Sequence, residues 1–352
     1  MKRSFATSKT ADEAESGTAV RSNQGCRARP FPRNPRFGGA HGLITAIPTA
    51  LAVLLVAQVA LSQQKATADI DDTPAQLVLK GQHATCTGLR HKTFSIEMKE
   101  LHVRLSGDIE TVAWTFNGTV PGPVIEACVG DTITLMLTNH GSMAHGLDTH
   151  ALQTDAKKFG PVAPGATLKI EGIVKTPGVF MYHCANGEMT DQHIKMSMSG
   201  AMIVYPRPAD VTFAPAKELV VVQGSAYGEP NEKGLIEPDS RKMEANMPTF
   251  YFFNGRLDHQ PIHLKAGQHV RLYFLNTSPY VSSVHVIGTI LDRAHASGNP
   301  RNTLYDVQTF GVEDGNGAII EFTVPEAGTY LLVDHDHLSY LPTGFVMPFS
   351  VE

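Results

Sequence analysis

Two tandem β-sandwiches, all-β throughout, are the fold this sequence predicts. Three observations carry the prediction. Short runs alternate with period two, among them "TITLML" (132–137), "LVVVQG" (219–224), "HVRLYFLN" (269–276) and "AIIEFTV" (318–324). Gly, Pro and Asn punctuate these runs, and no long amphipathic helical pattern competes with them. The chain also repeats itself. "FNGTVPGPVIEACVGDTITL" from Phe116 returns as "FNGRLDHQPIHLKAGQHVRL" from Phe253, with matching steps from Phe116 to Gly130 and from Phe253 to Gly267. Further on, Gly165 to Gly178 matches Gly315 to Gly328.

Residues 1–68 read as an export leader rather than as fold. Arg21, Arg27, Arg29 and Arg33 stand among Ser, Gly and Pro, ahead of the apolar run "LITAIPTALAVLLVAQVAL" (43–61). Ala66 and Ala68 then supply the small-x-small pattern of signal cleavage. Cleavage after about Ala68 places the mature chain in the periplasm. The apolar run approaches the ~20 residues of a membrane span, so a retained anchor is the alternative; Pro48 and the cleavage pattern argue against it. The first sandwich is expected over 75–206, a Pro-rich linker over 207–218 and the second sandwich over 219–352. A chain of 352 residues is long enough for two such cores. Its formal net charge of -5, with no basic excess, excludes nucleic acid as a partner. Sixteen histidines and twelve methionines suit soft and borderline metals. Cys26 falls in the leader. Cys86 and Cys128 form either a disulfide, as export permits, or two separate buried thiols.

The fourth cysteine sits in "FMYHCANGEMTDQHIKMSMSGAMIVYP" (180–206). Cys184, His193 and Met198 are spaced Cys-x8-His-x4-Met, and "SMAHGLDTHA" upstream supplies His145. A thiolate and two imidazoles in a plane, with a weak axial thioether, make a blue-copper electron-transfer site. Sulfur donors favour Cu(I) and imidazoles favour Cu(II), so a compromise geometry keeps reorganisation small. Met196 is the rival axial donor, but it stands closer to His193.

His183 immediately precedes Cys184. Successive strand side chains point to opposite faces, so a metal at His183 would sit across one backbone segment from a metal at Cys184. His150 follows His145 in the same strand-like segment, and "VDHDHLSY" offers His335 at the equivalent strand end of the second repeat. Three imidazoles hold Zn or Cu and leave a position open for water or substrate. The adjacent thiolate favours a redox metal.

These motifs, "MAHGLDTH", "YHC-x8-H-x4-M", "HVIG" and "VDH", resemble those of the copper-containing nitrite reductases, which are two-domain cupredoxins. The resemblance covers residues ~75–350 and implies two cupredoxin-like Greek-key domains assembled as a homotrimer. It implies two coppers per subunit: a type 1 copper on His145, Cys184, His193 and Met198, and a type 2 copper on His150, His183 and a neighbouring chain's His335. An electron would pass from the first through Cys184 and His183 to the second, where nitrite becomes nitric oxide and water. Asp148 and His285 would handle protons, and Ile287 would crowd the substrate. The donor would be a small soluble protein, a cupredoxin or c-type cytochrome, since the chain has no Cys-x-x-Cys-His haem motif.

The chain departs from that family in two places. "ALQTDAKKFGPVAPG", with Lys157 and Lys158, stands where relatives often have a glycine-rich loop by the substrate channel, and Gln192 stands where many have Trp. Two other readings compete. One is a laccase-like two-domain multicopper oxidase, although such enzymes need more His-x-His pairs and His-Cys-His where this chain has Tyr182-His183-Cys184-Ala185. The other is a non-enzymatic blue-copper electron carrier.

Overall fold

A computed structural model describes residues 86–352, preceded by two short strands at Ile70–Asp71 and Leu77–Val78. The leader 1–68, the cleavage point at Ala68 and Cys26 lie outside the described residues. No helix among the described residues is long and apolar enough to cross a membrane.

The alternating runs form strands, and the strands form two sandwiches. In the first, one sheet orders Thr167–Ile173, Thr132–Asn139, His91–Ser106, Ile109–Phe116 and Leu235–Ile236. The facing sheet orders Gly122–Cys128, Ser199–Tyr205, Gly178–His183 and Asp148–Thr149. Ile96, Leu135, Ile170, Tyr182 and Met202 fill the space between them. In the second sandwich, Lys217–Ala226, His269–Asn276 and Gly317–Thr323 lie central to one sheet, while Gly328–Asp334 and Ser282–Ile287 pair in the other. Each sandwich borrows a strand across the expected linker: Leu235–Ile236 pairs with Ile109–Phe116, and Leu77–Val78 pairs with Lys217–Ala226.

The sequence repeat is a repeat of backbone chemistry. Asn117-Gly118 and Asn254-Gly255 all have positive φ, which L side chains avoid and Asn and Gly tolerate. Both pairs turn the chain after the repeated Phe. Asn139 gives its side-chain N–H groups to the Met143 and Val162 carbonyls. Asn276 does the same for Tyr280 and Val312.

A third apolar layer joins the sandwiches. Val179, Met181, Ala201 and Ile203 meet Val220, Val222, Leu275 and Ile319. Strand Gly178–His183, which delivers His183 and Cys184, therefore has a packed neighbour on each face. Burying one such aliphatic side chain contributes roughly 1.5–3 kcal/mol. Cys86 and Cys128 border this layer and form a disulfide with Cα atoms 5.7 Å apart. Within the second sandwich, fully buried Arg271 binds Glu218 at 2.9 Å and is the cross-strand partner of Glu321, which it also contacts.

Candidate metal centres

The segment bearing His145 and His150 was expected to be one strand, but it divides. His145–Gly146 pairs with Pro161–Val162, whereas Asp148–Thr149 pairs with the end of strand Gly178–His183. Fully buried Leu147 marks the crossing, and His150 lies in the turn that follows. The chain thus places His145 and His150 on different sides. The backbone of Gly160 and Ala185 comes so close to Gly146 that a Cβ there would collide with both carbonyl oxygens, so glycine is required.

Cys184 follows directly on strand Gly178–His183. His193 is carried by the short helix Thr190–Lys195, as its one buried residue. The helix ends through left-handed Ser197, and the Met198 N–H returns to the His193 carbonyl at 3.1 Å. These turns bring His145, Cys184 and His193 together, all buried. Cys184 Sγ lies 3.0 Å from His193 Nδ1 and 3.9 Å from His145 Nδ1, and the two Nδ1 atoms are 3.2 Å apart. Donors bound ~2.0–2.3 Å from one ion at tetrahedral angles stand about 3.3–3.6 Å apart, so the set fits a shared metal. Met198 is fully buried in the same apolar cluster as Cys184, whereas Met196 packs with Tyr227 and Met243. That packing makes Met198, rather than Met196, the thioether that would join a metal held there.

The electrostatics point the same way. Burial pushes the Cys184 thiol up to about 12 despite the Gly146 N–H that it accepts at 3.3 Å, so a thiolate there needs a cation. Burial and the neighbouring His145 pull His193 down to about 4, against the opposing charge of Glu100. A neutral imidazole is the form that binds metal.

On the other face of the same backbone, Asp148, His150 and His183 converge. The His150 and His183 Nε2 atoms are 3.2 Å apart. His183 Nδ1–H donates to the Cys184 carbonyl at 2.9 Å, which leaves Nε2 as the nitrogen that a metal could take. Burial pulls His183 below its ordinary value and keeps it neutral. His335 joins neither cluster. It begins the 3-10 turn His335–Thr343, with its ring centroid 5.9 Å from that of His285. His285 Nδ1 donates to the Gln308 carbonyl at 2.7 Å, and Ile287, two residues along, is 42% exposed. His285, Ile287 and His335 thus occupy the second sandwich, and Asp148, His150 and His183 the first. His337 binds the Asp334 carboxylate at 2.9 Å and packs on Tyr251, as a structural histidine does.

Three neighbours of the first cluster had no signal in the sequence. Glu100 accepts from His145 Nε2–H at 3.0 Å. Burial opposes its ionisation, but the hydrogen bonds from His145 and Ser142 prevail and hold it at about 2. The Asn186 carboxamide meets His193 Nε2 at 3.1 Å. Trp114, the single tryptophan, lies edge-on to His193 with ring centroids 4.3 Å apart.

A copper-containing nitrite reductase of Neisseria gonorrhoeae is 33% identical over 268 residues, covering 73% of this chain and 67% of that protein. The chain belongs to the copper-containing nitrite reductase family. Residues 97–209 also match the multicopper oxidase family pattern. Among solved structures of the family, the Nitrosomonas europaea copper nitrite reductase is 31% identical with a TM-score of 0.66, covering 74% of this chain and 94% of that one. The Thermus scotoductus SA-01 protein is 28% identical with a TM-score of 0.68, and the match spans 75% of this chain and 62% of that one. A multicopper oxidase at 22% identity and TM-score 0.65 shares the fold.

Proposed function

We propose that this chain reduces nitrite to nitric oxide and water in the periplasm. The reaction takes one electron and two protons, breaks one N–O bond and releases that oxygen as water. The observation that carries the reading is the placement of Cys184 and His183 in two donor clusters on opposite faces of one backbone segment. Bound copper would supply a one-electron couple at the first cluster and an open coordination position for nitrite at the second.

The chain's own residues would do the rest. His145, Cys184, His193 and Met198 hold the type 1 ion, and the Cys184–His183 peptide is the covalent route for the electron. His150, His183 and His335 of a second copy hold the type 2 ion in a homotrimer. That supply fits the separation of His335 from His150 within one chain. Asp148 stands with the second cluster, where its carboxylate can orient nitrite and carry a proton. His285 uses Nδ1–H on Gln308, so Nε2 is free to exchange the second proton. Ile287 narrows the space beside it. The electron comes from a small soluble redox protein, a cupredoxin or c-type cytochrome.

Nitric oxide release from nitrite, driven by a reduced donor, tests this reading. Asp148→Asn should lower turnover by ~10²–10⁴-fold, the usual contribution of a positioned proton donor, and leave the blue absorption intact. Wild-type rates retained in that variant would remove Asp148 from the reaction. Oxygen uptake with phenols, in place of nitrite reduction, would point to a laccase-like oxidase.

A further inference from the structure

The histidines of the first cluster have unequal outer partners. His193 Nε2 meets the neutral carboxamide of Asn186 at 3.1 Å, while His145 Nε2 meets the carboxylate of Glu100 at 3.0 Å. Glu100 lies on strand His91–Ser106, directly opposite Trp114 of the neighbouring strand. Cross-strand partners share a face, so one pair sets an anion on His145 and an indole on His193. Glu100 is also anchored. The Ser142 N–H reaches both carboxylate oxygens at 3.0 Å, and the Ser142 hydroxyl donates to Oε1 at 3.3 Å. A Cβ on Gly141 would come within 2.8–2.9 Å of those oxygens, so the backbone there leaves room for the carboxylate.

We infer that Glu100 is a positioning residue that lowers the reduction potential of the metal held by His145, Cys184 and His193. It rests on the reading of that cluster as a redox copper site. The Nε2–H donated to Glu100 fixes the tautomer and turns Nδ1 toward Cys184 Sγ. A carboxylate on the far nitrogen draws the proton outward and makes Nδ1 a stronger donor. A stronger nitrogen donor favours the more highly charged, oxidised ion. The bias makes the first site a better reductant of the second, and only a charged partner on His145 gives it.

The test uses copper-loaded full-length protein and the isosteric E100Q variant, which keeps an acceptor but removes the charge. The potential is followed through the blue absorption, and Cu(II) and Cu(I) affinities are measured by competition. E100Q should lose 10–100-fold in Cu(II) affinity, the range seen for outer partners of ligating histidines. Each tenfold loss confined to Cu(II) raises a one-electron potential by about 59 mV. E100D, with its carboxylate drawn back by one methylene, should fall between E100Q and wild type, and it carries the same test should E100Q fail to fold. An unchanged potential, or equal losses in both oxidation states, would reduce Glu100 to a scaffold residue and overturn the inference. Wild-type protein that binds copper without a blue band would overturn it together with the reading beneath it.

Discussion

At the scale of single residues, the clustering of His145, Cys184 and His193 was legible because coordination imposes spacing. Cys184, His193 and Met198 come from one turn between two strands, so their sequence order survives in space. His183 was legible for the opposite reason: strand alternation sends it away from Cys184. Glu100 and Trp114 were not legible. They reach the cluster from strands separated from it in sequence, through a cross-strand pairing that spacing does not encode. Trp114 offers a direct check. It is the only tryptophan, and its ring is 4.3 Å from that of His193. Cu(II) at this cluster is expected to quench tryptophan emission strongly, and Cys184→Ser should abolish that quenching. Emission indifferent to copper in the wild type would place the ion elsewhere.

At the scale of elements, period-two runs and the Phe-Asn-Gly turns predicted strands that are there. The split of the His145–His150 segment was missed because two-residue strands carry no periodicity. The borrowed strand Leu235–Ile236 escaped for the same reason. Arg271 is a case where a strand residue contradicts its apolar surroundings. It sits fully buried between Glu218 and Glu321 on neighbouring strands, a pairing set by register. Arg271→Met should cost about 3–5 kcal/mol, since it removes the buried cation that Glu218 and Glu321 share. Burial opposes ionisation of Glu321, but His295 and Arg271 outweigh it and hold its pKa well below the ordinary range. A depressed folded value means stability is fully present above the unfolded carboxylate pKa of ~4.3 and is lost as pH falls through the folded value. Denaturant titrations of wild type and R271M should therefore differ most near neutrality, with the gap closing in acid. A gap independent of pH would contradict that assignment.

At the scale of the whole molecule, the sandwich repeat could be read from the sequence, whereas the proposed pairing of His150 with a second copy's His335 rests on the family resemblance. In one chain these residues belong to different sandwiches, and assembly of copies is what would join them. Subunit mixing tests this. His150→Ala and His335→Ala proteins should each be inactive alone. Co-assembled, an intact His150 of one copy would face an intact His335 of the next, restoring about one site in three of a mixed cyclic trimer. No recovery on mixing would place the third ligand within the same chain. The account as a whole stands on residues 183 and 184 serving two ions, and electron paramagnetic resonance of copper-loaded protein measures that most directly. Two distinct Cu(II) signals are predicted, with nitrite perturbing one. Cys184→Ser should erase the other signal and His183→Ala should erase the nitrite-sensitive one. A single signal, or one lost equally in both variants, would contradict the account.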